Sequence, residues 1–140
     1  MSLELNCYMP HCGETYMNQR QKDFFRARLT VWREQLLAEV RTSMQRIRTD
    51  ENTGGDLIDQ SVKDNNRNMD FITRGRTEET IRKINAALRR LDEGSYGYCL
   101  ESGEEIGLER LLAYPIATLS VEAQELFENH QRIRRVSAAL

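Results

Sequence analysis

The chain has few residues that interrupt a helix and no segment suited to a membrane. Among its 140 residues it has two prolines, Pro10 and Pro115, and 7% aromatic residues. Because proline breaks helices, the long stretch between the two prolines can be helical without interruption. No apolar run approaches the ~18–20 residues that span a bilayer, and no signal-peptide pattern opens the chain. We therefore expect a cytoplasmic protein, with its three cysteines reduced.

Residues that carry catalysis are also scarce. The sequence has two histidines, and it contains no glycine-rich phosphate loop, nucleophile elbow or metal-binding histidine pair. We therefore expect no enzyme. The net charge is −2, from 20 basic and 22 acidic residues. This balance predicts no general attraction to nucleic acid or to an anionic membrane.

What the chain does contain is two stripes of apolar residues at helical spacing. They flank a turn at 52–55, Asn-Thr-Gly-Gly. The first stripe consists of Phe25, Leu29, Trp32, Leu36, Val40, Met44 and Ile47. The second consists of Ile58, Val62, Met69, Ile72, Ile81, Ile84, Leu88 and Leu91, and it weakens near Gly75. Two amphipathic helices joined by a short turn predict an antiparallel hairpin with both stripes in its core.

The pattern divides the mostly α-helical chain into four parts. Residues 1–17 show no periodicity and predict a flexible leader. Residues 18–94, from a helix cap at Asn18 to a stop at Gly94, predict the N-terminal helix and coiled coil, with a tip near 53–60. Residues 95–125 form a small glycine-punctuated module. The apolar residues from Val121 to about Val136 predict a last helix, and residues 126–140 are assigned to it as the C-terminal part of the chain.

The small module has the spacing of a four-cysteine zinc finger without its cysteines. Two residues separate Cys99 from Ser102, two separate Ser120 from Ala123, and seventeen lie between the pairs. Structural zinc needs four ligands such as thiolates and imidazoles, and only Cys99 supplies one here. We therefore predict a degenerate, metal-free module. Its serines would bond turn backbone, and its core would be apolar residues: Tyr98, Ile106, Leu108, Leu111, Leu112, Pro115, Ile116, Leu119 and Val121.

Several segments resemble the DksA/TraR family. In the module these are LDEGSYGYC at 91–99, SGEEIGLERL at 102–111 and YPIAT at 114–118. Upstream, ETYMN at 14–18 resembles the entry to the family's first helix, and DLID at 56–59 resembles its tip. The resemblance extends from about Glu14 to Leu126. Among family members this chain resembles the kind that lacks the four-cysteine zinc site.

The resemblance implies a function. Family members are bacterial transcription factors whose coiled coil enters the secondary channel of RNA polymerase, without sequence-specific DNA binding. Their tip aspartates correspond to Asp56 and Asp59, while Ser61 replaces an alanine of the family motif. Some members act with guanosine tetraphosphate in the stringent response, and the basic positions that face it correspond to Lys83, Tyr114 and Gln124. Only Lys83 keeps its charge, so the resemblance implies a monomeric polymerase regulator with weakened alarmone contacts.

Alternatives remain open for each signal. From spacing alone, Asp56 and Asp59 are acidic residues at a helix start, which cap helices routinely. Cys99 reads as a buried side chain rather than a reactive thiol, and Cys7, His11 and Cys12 are too weak a pattern to predict a metal site. For function, the alternatives are a transcript-cleavage factor of the Gre type and a coiled-coil adaptor without transcriptional activity.

Overall fold

Four α-helices run through the described residues. A computed structural model describes residues 8–50 and 56–139, and there the helices are α1 (Gln19–Asp50), α2 (Leu57–Glu93), α3 (Leu108–Ala113) and α4 (Val121–Ala139). Within these residues the only β-type pairing is an isolated antiparallel bridge between Tyr98 and Glu105. The mostly α-helical fold class predicted from the sequence is confirmed.

The two long helices begin and end where local chemistry dictates. The Asn18 side chain accepts a hydrogen bond of 2.8 Å from the Gln21 backbone N–H, which satisfies one of the unpaired donors of the first turn of α1. Gly94 follows the last residue of α2 with a φ of 84°. The backbone N–H groups of Ser95 and Tyr96 turn back to the carbonyl of Arg90, at 3.0 and 3.2 Å. The predicted cap and stop are both confirmed.

The chain divides into two compact units. The first, here called the base unit, comprises residues 1–26 and 87–140, and the second, the arm unit, comprises residues 27–86. The long helices α1 and α2 contribute to both units. None of the helices in the described part of the chain is long and apolar enough to cross a membrane.

In the arm unit, α1 and α2 form an antiparallel helical hairpin. Arg33 of α1 donates to the side-chain oxygen of Asn85 of α2 at 3.0 Å, which joins the two helices. Leu29 and Ile84 are fully buried at this end of the hairpin. The first apolar stripe lies inward as predicted along most of α1, except that Met44 is exposed and Ser43 takes the inward position.

The second stripe lies inward only in its later half, so the prediction is wrong for the earlier half. Ile84 and Leu91 are buried, whereas Ile58, Val62, Met69 and Ile72 are each more than half exposed. The reason is the interval between Ile72 and Ile81. Nine residues make about 2.5 helical turns, so the two halves of the stripe face opposite sides of α2.

The base unit has a compact apolar core. Phe25, Tyr96 and Leu111 have at most 1% of their surface exposed, and the rings of Phe25 and Tyr96 lie 5.5 Å apart. The Tyr96 hydroxyl donates to the Pro115 carbonyl at 2.7 Å, so its polar end is satisfied inside the core. Across the surface, Arg26 of α1 pairs with Asp92 of α2 at 2.6 Å.

The core predicted for the small module is partly confirmed. Ile106, Leu111, Pro115 and Ile116 are buried. Val121 is 47% exposed, contrary to the prediction, because it opens α4. That helix starts at Val121, as the apolar pattern predicts, although the domain boundary was placed five residues later at 126, and none of its described side chains is buried.

Candidate functional site

The predicted tip residues lie where α2 begins, at the turn end of the hairpin in the arm unit. Asp56 precedes the helix, and its side chain accepts a hydrogen bond of 2.9 Å from the Asp59 backbone N–H. Asp59 lies in the first turn. Residues 53–55 of the predicted tip lie outside the described residues. Asp56 therefore caps the helix, and the capping bond restricts the orientation of its carboxylate.

All three tip side chains face solvent. Asp56, Asp59 and Ser61 are exposed, and the Ser61 hydroxyl donates to the carbonyl of Leu57 at 3.2 Å. The hydroxyl that replaces the family's alanine methyl is therefore directed to the helix backbone. A carboxylate has about four lone-pair sites, so the capping bond leaves Asp56 able to accept from a partner or to face a cation.

The three residues that the family resemblance assigns to alarmone contact have different surroundings. Lys83 is exposed on α2 in the arm unit. In the base unit, the Tyr114 side chain is 44% exposed. Gln124, also in the base unit, donates to the carboxylate of Glu128 at 2.9 Å along α4. Lys83 is the one cation among the three.

Cys99 is a buried sulfur surrounded by hydrogen-bond donors. Its side chain is 3% exposed. Burial by itself would raise the pKa of Cys99, but hydrogen bonds from the Ser102 hydroxyl and from the backbone of Ser102, Ser120 and Glu101 lower it from 9.0 to about 6. Donors that converge on sulfur favour the thiolate, because they stabilise its negative charge. The sequence interpretation missed this effect, since the neighbours of Cys99 in the chain are not cationic.

At two of the other three former zinc positions, the side chain hydrogen-bonds to the protein backbone. The Ser102 hydroxyl accepts a weak bond of 3.4 Å from the Glu104 N–H. Ser120 is buried, and its hydroxyl accepts from the Ala123 N–H at 3.2 Å, which caps α4. Ala123 has no donor atom on its side chain. The donor set therefore does not fit zinc, because one thiolate and two occupied hydroxyls do not make a tetrahedral site.

Tyr16 connects two loops of the base unit that are close in space and distant in sequence. Its hydroxyl donates to the Gly97 carbonyl at 2.6 Å and accepts from the Gly107 N–H at 3.1 Å. Its ring meets the Tyr98 ring edge-on at 5.7 Å. Burial raises the pKa of Tyr16 above its ordinary value, which further favours the protonated hydroxyl that donates to Gly97. Nothing in the local sequence indicates this role.

In the segment before α1, where the sequence predicts a flexible leader, some of the described residues pack against neighbouring side chains, while others such as Met9 are exposed. Pro10 is buried. The Glu14 carboxylate accepts from the Tyr8 hydroxyl and from the buried Gln21 side chain, and these two bonds lower the pKa of Glu14. Arg20 covers the Tyr8 ring at 4.2 Å. Residues 1–7 lie outside the described residues.

The weak metal pattern of the leader gains no support. Cys12 is exposed, while Cys7 lies outside the described residues. His11 faces the Glu14 carboxylate at 3.6 Å. Within the described residues, no three side chains of the types that bind metal cluster together.

Comparison with known proteins identifies relatives over nearly the whole chain. Residues 21–91 match the family of the DnaK suppressor protein DksA, N-terminal domain, and residues 94–129 match the prokaryotic DksA/TraR C4-type zinc finger. The chain is 42% identical to the RNA polymerase-binding transcription factor DksA of Caulobacter vibrioides over 95% of its own length and 94% of the relative's. It is 31% identical to the protein of that name from Escherichia coli K12, over 89% of this chain and 83% of that one. The family resemblance drawn from the sequence is confirmed.

A solved structure has the same fold. The structure of transcription factor DksA2 from Pseudomonas aeruginosa matches with a TM-score of 0.80 and 36% identity, over 92% of this chain and 96% of that one. The similarity covers the hairpin helices and the small module alike.

Proposed function

The chain belongs to the DksA family, and we propose that it regulates bacterial transcription by binding RNA polymerase. The match to an RNA polymerase-binding factor over 95% of this chain and 94% of the relative carries the proposal, because it includes both the hairpin and the module. The protein acts in the cytoplasm as a monomer. It binds the polymerase rather than promoter DNA, in keeping with its net charge of −2.

We further propose that the hairpin inserts into the secondary channel and brings Asp56 and Asp59 near the active centre. In water, a carboxylate attracts a cation 4 Å away by only about 1 kcal/mol, but the attraction rises several-fold where water is excluded. Two exposed carboxylates at the start of α2, one of them fixed by its capping bond, suit this role. The effect expected is a change in the lifetime of open promoter complexes.

We expect guanosine tetraphosphate to have only a small effect on this regulation. A charged hydrogen bond to a phosphate oxygen contributes about 1.5–3 kcal/mol, and the residues at the alarmone-facing positions are Lys83, Tyr114 and Gln124. Neither tyrosine nor glutamine supplies a positive charge. We therefore expect the alarmone to strengthen the regulation only slightly.

The test is transcription in vitro from a ribosomal RNA promoter with purified polymerase. The tip variant is Asp56→Asn/Asp59→Asn, and the matched control is Asp64→Asn, an exposed aspartate on the same helix. We expect the tip variant to lose most of the regulation while it still competes with wild type for the polymerase. Unchanged regulation by the tip variant would remove the two acids from the mechanism.

The same proteins decide between the proposal and its competitors. A Gre-type factor uses tip acids to hold a catalytic metal ion, so it would stimulate transcript cleavage by a stalled polymerase. We expect no stimulation here. An adaptor without transcriptional activity would fail to bind core polymerase at all.

A further inference from the structure

The half of α2 that begins at the turn packs against α1 with its polar side. The half-buried positions of this part of the helix follow heptad spacing and are Lys63, Arg67, Asp70, Arg74 and Thr77. Arg67 carries a buried Nε without a hydrogen-bond partner among the described residues. A cavity of about 360 Å³ lies between the helices beside Ser43, Asp70 and Thr77. This part of the hairpin is therefore poorly packed, because its seam on α2 contains no large apolar side chain.

The apolar residues of the same segment lie outside. Ile58, Val62, Met69 and Ile72, here called the outer stripe, are 75%, 54%, 65% and 51% exposed. Each residue of the outer stripe lies five positions before one of the half-buried residues in the sequence. Five residues correspond to a rotation of about 140° around the helix axis, so the stripe faces away from α1. The intermediate position of the same spacing is Asn65, so no charged side chain interrupts the outer stripe.

Exposed large apolar side chains in a row mark a contact surface. The outer stripe is not suited to nucleic acid or an anionic membrane, because it carries no positive charge. A second copy of the chain is also a poor match. Burying four such side chains removes roughly 250–500 Å² per copy, so a symmetric pair would bury about 500–1,000 Å² in total, below the ~1,200 Å² of a stable interface. The outer stripe fits one part of a larger protein interface.

We propose that the outer stripe binds an apolar wall of RNA polymerase. This inference rests on the proposed function. Ile58 lies between the two tip acids in the sequence, so a partner that receives Asp56 and Asp59 also meets the start of the outer stripe. From there the stripe continues for fourteen residues, or about 21 Å of helix. The tip supplies the charge, and the outer stripe supplies affinity and fixes the rotation of the hairpin in its binding site.

The test compares polymerase binding by two variants of the full chain. Met69→Gln/Ile72→Gln changes the outer stripe and keeps good helix formers. Phe71→Gln is the matched control, because Phe71 is 68% exposed on the same helix but faces about 140° away from the stripe. Binding is measured by competition with labelled wild-type protein for core polymerase, and circular dichroism checks that both variants stay folded.

We expect Met69→Gln/Ile72→Gln to weaken binding about tenfold or more, since two buried side chains are lost, and Phe71→Gln to bind within about twofold of wild type. Equal binding by the stripe variant and wild type overturns the inference alone, as does equal weakening by both variants. A third result would also overturn the inference: wild type self-associates, the stripe variant does not, and both bind polymerase equally well. That result would assign the outer stripe to contact with a second copy of the chain. Failure of wild type to bind polymerase overturns the proposed function and this inference together.

Discussion

Removing one oxygen atom from Tyr16 should weaken the whole base unit. The hydroxyl bonds to Gly97 and Gly107, at 2.6 and 3.1 Å, and so ties the start of the module to the loop before α3. Tyr16→Phe removes both bonds and keeps the ring, including its edge-on contact with Tyr98. The change therefore isolates the hydrogen bonds from the packing.

The magnitude follows from the two lost bonds. Each typical intramolecular hydrogen bond contributes about 0.5–1.5 kcal/mol net. Tyr16 and Gly107 are half-buried, so water can replace part of what is lost. We expect the free energy of unfolding to fall by about 1–2 kcal/mol, which is a substantial share of the ~5–15 kcal/mol that stabilises a typical protein.

Urea unfolding and amide hydrogen exchange together measure the effect. Tyr114→Phe is the control, since the Tyr114 side chain is 44% exposed. In Tyr16→Phe, exchange of the Gly107 amide should speed up more than that of amides in the middle of α1. If Tyr16→Phe matches Tyr114→Phe in both stability and exchange at Gly107, the bridge contributes nothing and the reasoning is refuted.

Three further predictions concern the module. Gly97→Ala should lower the free energy of unfolding in urea by about 1–2 kcal/mol more than Gly103→Ala does. Both glycines have a positive φ, but only at Gly97 would the new Cβ lie 2.9 Å from the Cγ of Met17. Equal losses of stability in the two variants would contradict this. The pKa of Cys99 is lowered from 9.0 to about 6, so the unfolded state binds more protons than the folded state between these values, and stability should rise from pH 6 to 9 and fall as pH drops toward 6. Cys99→Ser should reduce that rise, and an unchanged pH profile in the variant would speak against the thiolate. A strong chelator should leave the thermal midpoint of wild type unchanged, whereas one tightly bound zinc per chain in metal analysis would disprove the metal-free module.

Sequence periodicity predicted which residues of α2 share a face. Only the structure showed which of these faces is turned toward α1 and which toward solvent. Ile81, Ile84 and Leu88 set the inward side. Counting nine residues back from Ile81 to Ile72 gives a half-integral number of turns, which was a readable sign that the earlier stripe faces outward. Spacing within each stripe does not reveal this change of side, because both stripes have the same helical period and only the interval between them differs.

The contacts around the module could not be predicted in the same way. Tyr16 is 81 residues from Gly97 and 91 from Gly107 in the chain. Local propensity carries no signal for such a pairing. The lowered pKa of Cys99 depends on the Ser102 hydroxyl and then on backbone hydrogen bonds from Ser102, Ser120 and Glu101, and the sequence does not show that these groups converge on the sulfur. Which of the former zinc positions carry donor side chains can be read from the sequence, because that depends only on residue types.

If the module is metal-free, as we predict, several separate contacts take over the role of one metal ion. Zinc would hold four points of the chain together through single bonds to a common centre. Here the Cys99 sulfur gathers donors from both halves of the former site, Ser120 caps α4, and Tyr16 and Tyr96 tie the flanking loops to Gly97 and Pro115. Each contact contributes about 1 kcal/mol rather than the ~10–16 kcal/mol of a structural zinc. The module must therefore depend for its stability on the buried core that it shares with α1. The segment from Tyr8 to Met17 contributes to that core and is for this reason needed for a stable base unit.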